Sequence, residues 1–441
     1  MSIFGASSPH WRSGLLAHGR PTDIAVLDIG SSKLCCLIGR LTPREVSSVL
    51  PGRSHTIEVS GLGYQRSQGF KSGTVVDMEA AEQSIRRAVS RAEESAGVSV
   101  DSLIISVSAG RLTSQTYSGE ISLGGREVSA RDINAVLASG CADAYNERRA
   151  VLHALPIGFR LDATEAIEDP MTMVGDQLGV DMNIVDVDHA AMRNLEMCIN
   201  RAHLSVDAMV ATPYASGLAA LVDDEARMGA ACVDMGAGTT TLSVFVNGKM
   251  IACDAIAVGG NHVTMDIARC LSIRVDDAER LKVRHGTAIA TQMDERELLS
   301  VASIEEGGNQ PIQISVGQLS QIIRPRVEET FEMLRDRINS AGLASSFGRR
   351  MVLTGGASQL RGANDIAAQI LGVSVRLGRP MGVSGLPEKA RGAAFSAAAG
   401  LMIYPQIATH EFVATKPRAR RASGEPNHAF ARVGRWLRES F

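Results

Sequence analysis

Two short glycine turns, each set between apolar runs, constrain this chain more than any other feature. Asp28-Ile29-Gly30-Ser31-Ser32-Lys33 follows Ile24-Ala25-Val26-Leu27 and precedes Leu34-Cys35-Cys36-Leu37-Ile38. Asp234-Met235-Gly236-Ala237-Gly238-Thr239-Thr240 follows Ala230-Ala231-Cys232-Val233 and precedes Leu242-Ser243-Val244-Phe245-Val246. Strand, tight turn, strand is therefore written twice. A lone Asp-x-Gly turn is commonplace, because both residues are ordinary turn formers. A matched pair in the same context is not. Glycine lets the backbone come close to a ligand and aim its N–H groups at phosphate oxygens. A carboxylate at each strand end can hold magnesium through water, since that ion keeps much of its hydration shell. Two facing hairpins of this kind make a clamp on a nucleotide polyphosphate. Gly30, Ser31, Ser32, Gly236, Gly238, Thr239 and Thr240 are its phosphate-binding candidates, and Asp28 and Asp234 its magnesium candidates. Lys33 follows two hydroxyls in such a loop, where a cation can meet β- and γ-oxygens.

A third signal, Met351-Val352-Leu353-Thr354-Gly355-Gly356-Ala357, is another buried-strand run ending in a glycine pair. Gly355, Gly356 and Ala357 there permit close approach to a flat ring or sugar. With 45% hydrophobic residues, 4% aromatics and 43 glycines in 441 residues, the chain suits packed α/β units in two or more domains. A net charge of −3 argues against a nucleic-acid partner. Seven cysteines without a C-x-x-C pair read as reduced structural thiols of a cytosolic protein. The ten histidines show no ligand spacing, and no apolar run is long enough to span a membrane.

The order DIGSSK, VDMGAGTTT, VLTGGA resembles the phosphate-1, phosphate-2 and adenosine motifs of the actin/Hsp70/sugar-kinase ATPase superfamily. Gly259-Gly260-Asn261-His262-Val263-Thr264-Met265-Asp266-Ile267-Ala268 and Ala278-Glu279-Arg280-Leu281-Lys282-Val283-Arg284-His285-Gly286 resemble the FtsA family of bacterial actin-like cell-division proteins. The resemblance runs from about Ile24 to Tyr404 and resumes in the last fifteen residues. It implies an α/β, two-lobed actin-like ATPase fold with duplicated ribonuclease-H-like lobes, an inserted subdomain 1C and a C-terminal amphipathic helix. It adds Gly259, Gly260 and Asn261 to the phosphate site and Glu279 and Lys282, three apart on one helix face, to the adenosine site. The cofactors implied are ATP and Mg2+.

The expected division is a disordered leader (1–23), lobe one (24–110), insert 1C (111–187) and the return to lobe one (188–212). Lobe two follows as 213–260, with subdomain 2B at 261–340 and a return at 341–385. A closing helix (386–404) comes next, read as continuous from Lys389 to Leu401. Thr212-Pro213-Tyr214-Ala215-Ser216-Gly217 resembles the connecting helix between lobes. At its start Hsp70 has a glutamate and actin a glutamine; here Thr212 is a weak orienter of water, so hydrolysis is expected to be slow or negligible.

Residues 405–426 read as a basic flexible linker carrying Lys416, Arg418, Arg420 and Arg421, and 427–441 as an amphipathic helix. At 100° per residue, Phe430, Val433, Trp436, Leu437 and Phe441 fall on one arc, opposite Arg432, Arg435, Arg438 and Glu439. A cationic face opposite aromatic and aliphatic residues suits a helix lying in a membrane interface among anionic lipids. The resemblance then implies a cell-division protein that polymerises on the cytoplasmic face of the bacterial inner membrane at the division site. It would tether the FtsZ ring through 2B and recruit later divisome proteins through 1C. The alternatives are a soluble sugar- or acetate-kinase-like enzyme, disfavoured by the missing sugar-binding aspartate, and an Hsp70-like chaperone, disfavoured because no peptide-binding domain follows.

Overall fold

In a computed structural model of the chain, the described residues are 15–16, 20–45, 53–108, 111–144, 146–302 and 312–412. Most of the expected leader, most of the basic linker and the whole terminal helix, with Phe430, Val433, Arg435, Trp436, Leu437, Arg438 and Phe441, lie outside them.

The first lobe begins with β1 (Thr22–Ile29), β2 (Lys33–Pro43) and β3 (His55–Arg66), an antiparallel meander. Two short strands, β4 (Phe70–Lys71) and β5 (Thr74–Val75), lead into helix α1 (Met78–Ala96). That helix forms where Ala81, Ile85, Ala88, Val89 and Ala92 recur on one buried face. Asp77 caps its first turn by accepting from the Glu79 and Ala80 N–H groups, and Gly97, at φ 70°, ends it. Strand β6 (Ser102–Val107) then lies parallel to β1.

The insert follows as β7 (Thr113–Glu127), α2 (Ala130–Gly140), β8 (Arg149–Leu161), β9 (Thr164–Ile167) and β10 (Val174–Asp188). Helix α3 (His189–Arg201) and strand β11 (Ser205–Ala211) return the chain to lobe one. The connecting helix α4 (Thr212–Ala220) and the short α5 (Asp223–Met228) lead into lobe two. Its strands are β12 (Ala230–Met235), β13 (Thr240–Val246) and β14 (Lys249–Ile256). Then come α6 (Gly260–Leu271), α7 (Val275–His285), a hairpin of β15 (Leu298–Val301) and β16 (Ile312–Ser315), and α8 (Val316–Ser340). Strand β17 (Arg350–Thr354), helix α9 (Ala363–Leu371), strand β18 (Ser374–Leu377) and helix α10 (Ser396–Ile403) complete the body.

The first sheet runs β11-β6-β1-β2-β3 and the corresponding part of the second runs β18-β17-β12-β13-β14. In each, three antiparallel strands are joined on one side by two parallel ones. The topology is the same in both, which is why the two glycine hairpins occupy equivalent places. The second sheet continues into β7-β10-β8-β9 through one ladder pair, Thr113 with Asp254. The insert leaves and re-enters lobe one along the chain, yet its sheet extends that of lobe two. Nonlocal pairing of this kind leaves no local mark in a sequence.

The segment expected as one helix from Lys389 to Leu401 is broken. A 3-10 turn at Glu388–Ala390 and another at Ala393–Phe395 precede α10, with extended backbone at Gly392 between them. The break frees the carbonyls of Ala393 and Ala394 to accept from Gly355 N–H and Lys33 Nζ. Helices α4 and α10 cross so tightly that a Cβ on Gly400 would overlap the Ala215 carbonyl oxygen.

Candidate functional site

Both hairpins close in the same way. Gly30 N–H donates to the Lys33 carbonyl at 3.1 Å, and Gly236 N–H to the Thr239 carbonyl at 2.9 Å. Their tips meet, since a Cβ on Gly238 would collide with Ser31 Oγ. Ser72 Oγ donates to the Gly238 carbonyl at 3.1 Å, and Gly73 N–H donates to Ser31 Oγ at 3.2 Å. Between the hairpins lies a cavity of about 240 Å³.

The cavity brings together Asp28, Gly30, Ser31, Ser32, Lys33, Asp234, Gly236, Gly238, Thr239, Gly260, Asn261, Glu279, Lys282, Gly355, Gly356 and Ala357. Asp28 ends β1, where Ser106 Oγ donates to its Oδ1 at 2.8 Å while accepting Ile29 N–H at 2.8 Å. Asp234 accepts a short hydrogen bond from Ser216 Oγ on α4. Gly355, at φ 85°, brings its backbone so close to Asp234 that a side chain there would strike the carboxylate. Burial pushes the Asp28 carboxyl above its usual range. Burial raises Asp234 to about 6, with the Asp28 charge adding to the rise and Ser216 and Lys33 opposing it. Lys33 Nζ donates to the Ala394 carbonyl at 2.7 Å and sits 3.3 Å from the centroid of the Phe395 ring. Burial lowers its pKa, against the pull of both aspartates. Two buried carboxylates share one lysine, and the cavity is therefore short of a positive charge.

Two groups were not legible as written. Thr240 points away, its Oγ1 donating to the Val258 carbonyl at 2.8 Å. Thr241 lines the cavity instead. The ladder pairs Thr241 with Asp234 and Thr240 with Met235, so cross-strand alternation could have found it. The Thr241 and Thr212 hydroxyls are both buried without a hydrogen-bond partner, and both residues line the cavity. Gly259 stands outside the lining and packs on the Gly236 and Ala237 carbonyls. Gly260 and Asn261 N–H groups donate to those carbonyls at 3.0 and 2.7 Å, bracing the second hairpin with donors that are then spent. Lys282 Nζ pairs with Glu279 at 2.6 Å and donates to the Gly260 carbonyl at 3.0 Å and Thr264 Oγ1 at 2.8 Å. Glu279 and Lys282 thus line the same cavity as Gly355 and Gly356.

Residues 231–400 match the family model described as cell division protein FtsA, and residues 109–186 match the SHS2 domain inserted in FtsA. The cell division protein FtsA of Agrobacterium fabrum is 53% identical over 445 residues, covering 100% of both chains. That of Rhizobium meliloti is 52% identical over the same length.

The chain belongs to the FtsA family.

The Escherichia coli FtsA is 27% identical, with 94% of this chain and 97% of that one covered. Among solved structures, the PilM-PilN type IV pilus biogenesis complex superposes at a TM-score of 0.62 and 17% identity, covering 87% of this chain and 99% of that one. MreB5 of Spiroplasma citri bound to ADP superposes at 0.52 and 14% identity, covering 87% and 96%. These likenesses carry the fold: an actin-like ATPase fold, here with the FtsA insertion.

The residues present fit a nucleotide and a divalent cation. Two orphaned hydroxyls and a deficit of positive charge mark a cavity built for a polar occupant. Among the described residues no group of three or more His, Cys, Asp and Glu is placed to hold a metal. Two carboxylates, water and phosphate oxygens are the donor set magnesium accepts.

Proposed function

We propose that this FtsA-family chain binds ATP·Mg2+ between its lobes and forms filaments on the cytoplasmic face of the bacterial inner membrane at the division site. There it tethers the FtsZ ring through subdomain 2B and recruits later divisome proteins through 1C. The observation that carries the nucleotide reading is the pair of buried hairpin carboxylates, Asp28 and Asp234, facing one cavity with two unpaired hydroxyls. Solved MreB5 structures of this fold bear ADP and AMPPNP by name. Asp28 and Asp234 hold the metal, and the hairpin N–H groups with Lys33 hold phosphate oxygens. Glu279, Lys282 and the Gly355-Gly356 turn flank the nucleoside. Bound magnesium supplies neutralisation of phosphate charge.

Thr212 occupies the start of α4 beside Ala211 and offers only a hydroxyl. Steady-state phosphate release is therefore expected far below the median enzyme turnover of about 10 per second. Brisk turnover abolished by Thr212→Ala would contradict this.

Five apolar side chains on the terminal helix, about half buried at an interface, contribute roughly 4–7 kcal/mol. Each arginine near anionic lipid adds about 1 kcal/mol. After helix ordering, one copy binds reversibly, and a filament holds through effective concentration. Among the described residues no helix is long and apolar enough to cross a membrane, so attachment through a surface helix is the form this reading takes. The test is sedimentation of the full chain with anionic vesicles. Wild-type protein should pellet with ATP and Mg2+. Trp436→Glu should stay in the supernatant while still binding ATP, and reversing Arg435 and Arg438 should weaken pelleting mainly at low salt. Full pelleting of Trp436→Glu would remove the membrane claim.

A further inference from the structure

His153 lies on β8 of the insert with no exposed surface. Both ring nitrogens are engaged by other parts of the chain. Ala211 N–H, at the junction of β11 and α4, donates to Nε2 at 2.9 Å. That bond requires an unprotonated Nε2, so Nδ1 carries the proton and donates to the Glu411 carboxylate, 3.0 Å from each oxygen. The ring meets Tyr214 of α4 edge-on at 5.1 Å and Tyr404 at 5.8 Å. One residue further, Phe412 N–H donates to the Ala154 carbonyl at 2.9 Å, attaching the last described turn to the same strand.

Helix α4 carries three other fixed points. Thr212, next to Ala211, lines the nucleotide cavity, and Ser216 holds the Asp234 carboxylate. Pro213 contributes its carbonyl to Ser243 Oγ of β13 at 2.8 Å. The helix packs backbone against backbone on α10, since a Cβ on Gly400 would overlap the Ala215 carbonyl oxygen, so a displacement of α4 carries α10 with it. A contiguous chain of contacts therefore runs from Asp234 through Ser216 and α4 to Ala211, His153 and Glu411.

We propose that His153 is a positioning residue that couples the occupancy of the nucleotide cavity to the insert and to the segment at Glu411 and Phe412. The inference rests on the ATP·Mg2+ reading. Any shift of the Asp234 carboxylate on binding moves α4 through Ser216, and His153 passes that shift to β8 and Glu411. Packing alone would hold the insert in place in either state. The Ala211–His153–Glu411 chain makes its placement depend on the cavity.

The test combines titration calorimetry with hydrogen exchange on the full chain, with and without ATP and Mg2+. Wild-type protein should bind, and amides of Ala211 and of residues 149–161 should change exchange rate at least about fivefold, the lower range of typical coupling. In His153→Gln the change should fall below about twofold, with ATP affinity within about threefold of wild type. Glu411→Gln, which keeps the side-chain shape, should reduce the response in the same direction and serves if His153→Gln does not fold. An insert whose exchange ignores bound nucleotide, or a folded variant that responds as wild type does, overturns the coupling. Failure of the wild type to bind ATP would instead strike the nucleotide reading on which it rests.

Discussion

Asp234→Asn should make the nucleotide-free protein more stable and a far weaker binder of ATP·Mg2+. Asparagine keeps the shape of the side chain and an acceptor for Ser216, but removes a charge buried beside Asp28. In the folded protein that carboxyl titrates near 6, above its ordinary value near 3.8. The unfavourable charged state therefore opposes folding fully above pH 6, by about 2–3 kcal/mol. As pH falls through 6 the native state takes up a proton, and the penalty fades toward pH 4. Urea unfolding without nucleotide or magnesium should show the variant more stable at pH 7.5 and the gap closing near pH 4. ATP·Mg2+ affinity should fall about 100-fold, or about 2.7 kcal/mol. A variant that loses stability, or that keeps its affinity while folded, would show that Asp234 is a structural group.

Gly400→Val should be among the most damaging single substitutions in the body. The added Cβ would sit inside the van der Waals radius of the Ala215 carbonyl, and backbone atoms cannot swing away as a side chain can. The two helices must separate, which opens the buried core that Tyr404, Met402 and Leu401 fill. Overpacking of this kind costs about 3 kcal/mol or more. Gly372→Ala is the control, because nothing lies within 4 Å of a Cβ there and only φ 65° penalises it, by about 1 kcal/mol. Equal losses of thermal stability in the two variants would mean that the crossing is looser than the structure shows.

The hairpins were legible because strand, turn and strand adjoin in sequence, so Asp28, Gly30, Asp234 and Gly236 could be placed from local pattern alone. Helices α1 and α3 announced themselves by spacing in the same way. Helix α4 was placed by the resemblance of Thr212-Pro213-Tyr214 to a connecting helix, since it is buried all round and shows no apolar spacing. Thr241 was within reach of the alternation rule, and the choice of Thr240 came from following the motif as text. Other features depend on distant partners. Ser106 and Ser216 reach the two aspartates from 78 and 18 residues away. The Ala394 carbonyl is open to Lys33 only because Gly392 interrupts a run of helix formers. His153 carries no local sign of the Ala211 and Glu411 contacts that bury it, and the bridge between Thr113 and Asp254 joins segments that look independent. The terminal amphipathic pattern is clear as periodicity, and its role rests on the vesicle experiment.

Calorimetric titration of ATP into the full chain, with magnesium present and then chelated, tests the clamp most directly. One site per chain is expected, with affinity falling at least about tenfold without the metal and lost to a similar extent in Asp28→Ala. Binding that ignores magnesium and survives in folded Asp28→Ala would contradict the clamp.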